Sequence, residues 1–117
     1  MSGAPVTDWR DYDTAYTERY MKLPDKEYCK RGYDRGSILS HVRCFPDDEN
    51  RLLLVHGLID ENVHFTHTAK LTNELNKQGK HYNIQVECFD SLYKISKRLT
   101  EVVSAKLIVF ATVKQIL

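Results

Sequence analysis

The sequence RLLLVHGLIDENVHF at residues 51–65 decides the fold class. A run of four apolar residues, which is the length of a strand, ends at His56. A short loop with Asp60, Glu61 and Asn62 follows before an amphipathic helical pattern begins. In open α/β sheets, the loops that leave the carboxyl ends of buried strands collect ligands and catalytic groups. This stretch therefore predicts a strand, a functional loop and a helix.

The residues after the loop complete a βαβ unit. Residues 65–78 place apolar and small side chains on one arc of a helix and charged ones on the other, and Gly79 is a suitable C-terminal stop. Residues 82–86 alternate with a period of two, which indicates a strand with one buried face. A strand, a helix and a strand at this separation predict a right-handed crossover and a parallel sheet, and hence the α/β class.

Aromatic residues near the N-terminus share one face of a predicted helix. Trp9, Tyr12, Tyr16 and Tyr20 are spaced by three, four and four positions within residues 3–21. Such a stripe either fills a core or lines an apolar pocket. A pocket of flat rings could hold a proline ring or another compact apolar group, with the phenols bonded to polar partners at the rim. The spacing alone leaves both alternatives open.

The remaining segments are less distinctive. Residues 22–36 are charged and interrupted by proline and glycine, which predicts an exposed connection, and residues 37–42 are a candidate for a short helix. Residues 45–50 have the composition of a turn. In the last part of the chain, residues 91–104 could form an amphipathic helix, and residues 107–111 are a continuous apolar run.

Composition excludes several classes of function. The chain has 117 residues, enough for one domain, and 42% of them are hydrophobic, which permits a real core. A net charge of +1 offers no field that would attract nucleic acid or anionic lipid. We find no apolar run of membrane-spanning length and no signal peptide, so we expect a cytoplasmic protein without nucleic-acid or membrane partners. The three cysteines, without a C-x-x-C pair, suit free thiols better than disulfides or a zinc site.

Two sequence blocks closely resemble a known enzyme family. GAPVT-x-W-x-x-YDTAYTERYM at residues 3–21 and LLLVHGLIDENVHF at residues 52–65 resemble the end of the catalytic domain of dipeptidyl peptidases in the prolyl oligopeptidase family of serine peptidases. The resemblance extends over about residues 3–86 and is nearest to the cytosolic dipeptidyl peptidase 8 and 9 type. It implies that residues 1–87 form the C-terminal part of a peptidase domain, a partial α/β-hydrolase fold with the last strands and helices of a mostly parallel sheet. Residues 88–117 would be a divergent tail.

The resemblance also implies an activity and a set of site residues. Members of this family have a Ser-Asp-His triad in that chain order. They cleave Xaa-Pro or Xaa-Ala dipeptides from a free peptide N-terminus, without a cofactor, and a homodimer is a possible assembly. Asp60 lies where the family has the triad aspartate, which orients the histidine and stabilises its protonated form. Asn62 matches the residue that bonds the substrate carbonyl before the proline. The residues that match the apolar proline pocket are Val6, Trp9, Tyr12, Tyr16 and Val63.

Other interpretations of the polar residues remain. Asp60 could simply terminate a turn, with Asn62 as the better-placed N-cap of the following helix. We expect His56 to be a structural hydrogen-bonding histidine rather than a base. His64 and His67 have a spacing that could ligate metal, but a third ligand of clear geometry is lacking, so we interpret them as surface or packed residues and expect no metal.

The sequence departs from the family at both ends of the triad. No G-x-S-x-G pentapeptide for a nucleophile occurs, and we expect the chain to begin downstream of it. After the strand at residues 82–86 the family has a loop of the form P-x-E-x-H, whose histidine is the general base. This chain contains no histidine after His81, which precedes that strand. We attribute the break near residue 87 to an altered reading frame, an alternative final exon or an error in the gene model.

Three functions follow from this pattern. The chain is a fragment of a serine-type dipeptidyl peptidase that is inactive alone, because a lone aspartate can neither attack nor accept the required proton. Alternatively, it is a non-catalytic remnant that acts as an interaction module with a full-length peptidase. A third alternative is an independent small α/β binding domain that uses the pocket of Trp9 and Tyr12. Whether the chain is an enzyme is left open by the sequence.

Overall fold

Parallel pairing of three strands organises the described part of the chain, which is residues 1–88 of this computed structural model. Strand β1 (Ser2–Gly3) pairs with β2 (Leu53–Gly57), and β2 pairs with β3 (Asn83–Glu87), so the order in the sheet is β1-β2-β3. Both pairs are parallel. The predicted α/β class with a parallel sheet is therefore confirmed.

Helices connect these strands. The α-helices are α1 (Thr14–Met21), α2 (Glu27–Gly36) and α3 (Thr66–Lys77). Two 3-10 helices accompany them, the first at Trp9–Asp11 and the second at Ile38–Cys44. Helix α3 agrees with the predicted helix at residues 65–78, and it links β2 to β3. None of the helices in residues 1–88 is long and apolar enough to cross a membrane.

The core lies between the sheet, α3 and the second 3-10 helix. Its fully buried members are Val42, Leu54, Leu71 and Leu75, and each element contributes side chains to it. Partly buried neighbours close the cluster, including Phe45 and Tyr82. Burial of a leucine or valine side chain stabilises a fold by about 1.5–3 kcal/mol, so this cluster is the main source of stability in the described part.

The N-terminal aromatic residues do not lie on one continuous helix. Asp13 caps α1, since its Oδ1 accepts from the backbone N–H groups of Ala15 at 2.8 Å and Tyr16 at 3.4 Å. The chain is extended at Tyr12 and forms the first 3-10 helix before it, which contains Trp9. The prediction that Trp9, Tyr12, Tyr16 and Tyr20 share one helical face is therefore wrong upstream of Asp13, because a local aspartate cap starts the helix there.

The segment at residues 22–36 is largely exposed, as predicted, but it is not an irregular connection. Most of it forms α2, which buries Cys29 and Tyr33 at a spacing of four residues. The Tyr33 hydroxyl donates to the Lys22 carbonyl at 2.7 Å. Charged residues cover the opposite face, so the composition suggests a loop although two buried side chains hold a helix in place. The candidate helix at residues 37–42 is present as a 3-10 helix rather than an α-helix.

Strand β3 has the predicted position but not the predicted burial. Ile84 and Val86, the apolar members of its alternation, are 41% and 43% exposed. The core cluster includes Tyr82 but neither of these two side chains. The prediction of one buried face is wrong because β3 is the last strand in the order β1-β2-β3 of the described sheet. The expected helix at 91–104 and the apolar run at 107–111 lie outside the described residues.

Candidate functional site

Asp60 organises the loop that follows β2. Its side chain is only 8% exposed, and its Oδ1 accepts from the backbone N–H groups of Asn62 and Val63, each at 3.0 Å. The N–H of Leu58 donates to the Glu87 carbonyl at 2.7 Å, which fastens the start of the loop to the end of β3. Within residues 1–88, Oδ2 of Asp60 forms no hydrogen bond. Oδ1 therefore stabilises the turn, whereas Oδ2 takes no part in it.

His56, which lies in β2, is hydrogen-bonded to the same loop. Its ring is fully buried, with Nε2 at 2.7 Å from the Val63 carbonyl and Nδ1 at 2.6 Å from the Thr68 hydroxyl. A carbonyl only accepts, so Nε2 carries the proton and Nδ1 accepts from Thr68. Phe65 contacts the ring edge-on at 5.5 Å. Both nitrogens are occupied, which agrees with a structural rather than a catalytic histidine.

Asn62 is not an N-cap. Helix α3 begins at Thr66, the cap position is Phe65, and no side chain caps it. Asn62 lies too far upstream, because the turn around Asp60 extends the loop beyond it. Its side-chain oxygen instead accepts a hydrogen bond from the Tyr12 hydroxyl at 3.2 Å. This bond joins the loop to the N-terminal aromatic residues.

Those aromatic residues contact one another in sequence, and we call Trp9, Tyr12, Tyr16 and Tyr20 the aromatic cluster. Trp9 lies 5.8 Å from Tyr12 and 6.4 Å from Tyr16, while Tyr12 and Tyr16 are 5.8 Å apart. Tyr20 extends the cluster at 4.9 Å from Tyr16. Tyr16 and Tyr20 are 51% and 56% exposed, so the cluster is not a core stripe. The rings instead present an apolar surface at the side of the molecule.

A cavity of about 460 Å³ lies between α1 and α2 beside this cluster. Gly36, the last residue of α2, is in close contact with the Trp9 indole, since a Cβ there would lie 3.3 Å from Cδ1 of Trp9. Arg10 forms ion pairs with Asp8 and with Asp34 of α2, which hold the first 3-10 helix against α2, and the Asp34 carboxylate raises the pKa of the guanidinium above its usual value. The cavity is lined by Trp9, Tyr16, Thr17, Tyr20, Met21, Gly32 and Gly36.

The predicted site residues thus fall into two connected sets. Ring contacts and one hydrogen bond bring together Trp9, Tyr12, Tyr16 and Asn62. Val63 is buried and joined to Asp60 through its backbone. Val6 is half-buried next to Thr7 and takes part in none of the hydrogen bonds or ring contacts of residues 1–88.

Sequence reasoning missed the pair formed by Thr7 and His67. Both residues are buried, and the Thr7 N–H donates to Nδ1 of His67 at 3.2 Å. The sixty residues between the two partners leave no local signal. Burial lowers the pKa of His67, because the charged imidazolium is disfavoured there; Asp11 opposes this effect, and Lys70 and His56 add to it. His64, by contrast, is exposed. Residues 1–88 contain no cluster of three or more side chains that could hold a metal.

Comparison with known proteins identifies related sequences. The sequence profile described as the prolyl oligopeptidase family matches residues 1–89. Dipeptidyl peptidase 8 from Homo sapiens and from Mus musculus is 51% identical over 86 residues, which cover 74% of this chain and 9% of each relative. Dipeptidyl aminopeptidase B from Saccharomyces cerevisiae is 38% identical over 114 residues, covering 84% of this chain and 13% of that protein.

A solved structure is similar as well. The crystal structure of Porphyromonas gingivalis dipeptidyl peptidase 4 superposes with a TM-score of 0.72 and 28% identity, over 91% of this chain and 16% of that one. The chain therefore has part of an α/β-hydrolase-like fold, and it spans about a tenth of the length of the dipeptidyl peptidase 8 relatives. On the match of the family profile and of these relatives, the chain belongs to the prolyl oligopeptidase family.

Proposed function

We propose that this chain carries the aspartate and the proline-pocket portion of a serine-type dipeptidyl peptidase. The full-length protein would release Xaa-Pro or Xaa-Ala dipeptides from peptide N-termini. The observation that carries the proposal is the hydrogen bond from Tyr12 to Asn62, because it brings the aromatic cluster to the loop of Asp60. These are the two regions that such an enzyme needs side by side, one to hold the substrate and one to orient the base.

Asp60 is proposed as the triad aspartate. A triad aspartate must be fixed by the protein and still offer an oxygen to the N–H of a histidine. Two backbone N–H groups hold Oδ1, while Oδ2 has no hydrogen-bond partner in the described part of the chain. In the complete enzyme, Oδ2 would accept a hydrogen bond from an N–H of the histidine ring. This bond would stabilise the imidazolium during proton transfer.

Substrate contacts are assigned to the neighbouring residues. Asn62 would bond the carbonyl of the residue before the proline, using its amide group while Tyr12 holds its side-chain oxygen. The apolar walls would pack against the flat proline ring, whose small apolar area suits an aromatic pocket. Val6, Trp9, Tyr12, Tyr16 and Val63 are proposed as these walls.

Alone, the chain is proposed to be inactive. Its 117 residues contain no G-x-S-x-G nucleophile motif and no histidine after His81. Acyl transfer needs both an attacking group and a proton acceptor, so Asp60 by itself has nothing to orient. The purified chain should not cleave a Gly-Pro chromogenic substrate above the level of an Asp60→Asn variant prepared in the same way. Cleavage by the chain but not by the variant would contradict the proposal.

Pocket function can be tested separately from activity, since Trp9 is the single tryptophan of the chain. Titration with the dipeptide Gly-Pro should change Trp9 fluorescence saturably, with a dissociation constant on the order of 1 mM, about 4 kcal/mol of binding free energy. Tyr16→Ala should abolish the change. Tyr28→Ala, at an exposed tyrosine outside the aromatic cluster, is the matched control and should leave it intact. An identical response to Gly-Gly would show that no proline pocket exists.

The domain boundary and the location of the protein are part of the same proposal. We assign residues 1–87 to the peptidase domain and residues 88–117 to a divergent tail, which is supported by the family match over residues 1–89. Translation of the genomic sequence beyond the codon for Val86 in the other frames should recover a P-x-E-x-H loop. A cytoplasmic location is proposed from the resemblance to the cytosolic type.

A second candidate is an interaction module that binds a full-length peptidase, which could itself be a homodimer. It is favoured by exposed apolar side chains on β3 and in the loop after β2, namely those of Leu58, Ile59, Ile84 and Val86. The chain should then co-purify with a full-length family member, and Ile84→Lys should release it. Retention of the complex by Ile84→Lys together with Val86→Lys would exclude this surface.

A further inference from the structure

We propose that His67 is a positioning residue, whose neutral ring holds residues 6–12 against α3 through Thr7. We call residues 6–12 the pocket segment, since they contain Val6, Trp9 and Tyr12. The importance of this contact for substrate rests on the proposed function. The contact itself is defined by buried atoms on α3 and on the pocket segment.

Thr7 is the buried anchor of the pocket segment. It is 1% exposed, its N–H donates to Nδ1 of His67 at 3.2 Å, and its hydroxyl donates to the His67 carbonyl at 3.0 Å. The Thr7 carbonyl accepts from the N–H of Ile38 at 2.9 Å and is 3.4 Å from the Ser37 hydroxyl. One residue thus connects the pocket segment to α3 and to the start of the second 3-10 helix.

The bonds between side chains of the pocket segment and those of α3 or the loop are at the surface. Tyr12 meets Asn62 at 3.2 Å among exposed groups, and Asp11 pairs with Lys70 at 2.5 Å with both side chains partly exposed. Solvent competes with hydrogen bonds and ion pairs of this kind, so they contribute little to holding a segment in place. The buried pair of Thr7 and His67 therefore fixes the position of the segment.

The Thr7 bond also fixes the tautomer of His67. A backbone N–H can only donate, so Nδ1 is the acceptor and the neutral ring carries its proton on Nε2. The lone pair that Thr7 occupies is then the only one a proton can take. Protonation would set two N–H groups face to face, and the Thr7 hydroxyl oxygen, 3.3 Å from Nδ1, would be the remaining acceptor among the described residues. Protonation of Nδ1 and the bond from the Thr7 N–H are therefore mutually exclusive, whereas the bond from the Thr7 hydroxyl to the His67 carbonyl does not involve the ring.

Burial and the charges around His67 determine the pH at which its ring becomes protonated. Burial disfavours the charged ring, Lys70 on the same helix and His56 on β2 add to that effect, and Asp11 of the first 3-10 helix opposes it. Burial is the largest contribution, and the pKa of His67 is lowered below the ordinary 6.5. The bond from the Thr7 N–H to Nδ1 is thus intact at neutral pH and is lost under acidic conditions, which weakens the hold on the pocket segment.

The test uses Trp9 as a reporter, because it is the only tryptophan and lies in the pocket segment. Fluorescence and acrylamide quenching of the 117-residue chain are followed from pH 8 downward to the onset of acid unfolding, which far-UV circular dichroism reports, without any peptide ligand. Trp9 should become more accessible as pH falls, with a midpoint below 6.5. The Thr7 amide proton, followed by NMR, should shift with the same midpoint.

Two variants make the assignment specific. His67→Gln keeps a carbonyl acceptor for Thr7 but does not titrate, so its Trp9 signal should stay at the neutral-pH value throughout. His64→Gln, at an exposed histidine on the same stretch, is the matched control and should respond to pH like the unaltered chain. A purely structural role for His67 would change stability in His67→Gln without removing the pH response of Trp9.

Defined outcomes would overturn the proposal. A Trp9 signal and a Thr7 amide shift that are both flat across the range would do so, as would a response retained in His67→Gln, which would point to another histidine such as His56. Should His67→Gln not fold, the coincidence of the Thr7 amide midpoint with that of the His67 ring carbons decides the question in the unaltered chain. Failure of Gly-Pro binding with the pH response intact would refute the pocket function and leave the positioning role standing.

Discussion

The β2–α3 unit and the α1–α2 pair hold their apolar side chains in opposite ways. Leu54 of β2 and Leu75 of α3 are fully buried in the core, whereas Tyr16 and Tyr20 of α1 and Tyr28 of α2 are mostly exposed. The first unit is stabilised by burial of aliphatic groups, and the second by the buried side chains of Cys29 and Tyr33 together with ring contacts. The comparison teaches that apolar side chains are buried in the first unit, whereas the second leaves the apolar surface of these rings exposed to solvent.

The largest expected effect concerns the core. Leu75→Ala should lower the free energy of unfolding by about 3 kcal/mol, because it leaves a cavity among tightly packed neighbours. Leu58→Ala makes the same chemical change at an exposed position and should cost about 0.5 kcal/mol or less. Urea denaturation of the two variants measures the difference. Equal losses would break the distinction between buried and exposed apolar groups.

Next in size is the loss of the buried ring of His56. His56→Ala leaves the Thr68 hydroxyl and the Val63 carbonyl without their partners and should cost about 2–3 kcal/mol. The exposed His64→Ala is the matched control and should be nearly neutral. The midpoint of urea unfolding at pH 7.5 reports both, and a small loss for His56→Ala would mean that water replaces the ring.

Stability should also depend on pH through His67. Its pKa is lower in the folded chain than the 6.5 of an unfolded one, so the unfolded state binds more protons between these two values. The contribution of His67 to the free energy of unfolding is fully present above pH 6.5 and is lost as the pH falls toward the lowered pKa. It amounts to about 1.4 kcal/mol for each pK unit between the folded and unfolded states. His67→Gln should remove that part of the slope in urea titrations at several pH values. An unchanged slope would assign it to other groups.

The smallest effect is expected at the junction of the two regions. Tyr12→Phe removes the hydroxyl that bonds Asn62 and should cost about 0.5 kcal/mol, because the bond is exposed to water. A double-mutant cycle with Asn62→Ala isolates the coupling, since the two side chains contact each other. A coupling energy above about 2 kcal/mol would mean that this junction, rather than the Thr7 anchor, holds the two regions together.

Sequence patterns predicted the elements in which local preference and burial agree. In β2 and in α3, the residues that the sequence pattern predicts to be buried include those that form the core, so both elements were predicted. Helix α2 was missed because only Cys29 and Tyr33 face inward on a charged helix. The burial of β3 was misjudged because alternation predicts a strand but says nothing about which element covers it.

The site was predictable to a different extent. The aromatic cluster was identified from its spacing, and the proposed roles of its residues and of the loop come from the family blocks. Contacts such as Tyr12 with Asn62 or Thr7 with His67 depend on how distant segments pack, and they span 50 and 60 residues. No periodicity within either segment encodes them. The N-cap assigned to Asn62 failed for a related reason, since the turn made by Asp60 lengthens the loop.

The absence of a side chain at Gly36 allows the end of α2 to pack closely against the indole of Trp9. A methyl group at this position would lie 3.3 Å from Cδ1 of Trp9, so either the ring or the end of the helix must yield by a few tenths of an ångström. Residue 36 is thus a wedge site, where the volume of one side chain, twenty-seven positions along the chain from Trp9, adjusts the depth of the aromatic surface. Ala and then Ser at residue 36 would displace the indole or the helix end by increasing amounts without removing any ring of the aromatic cluster.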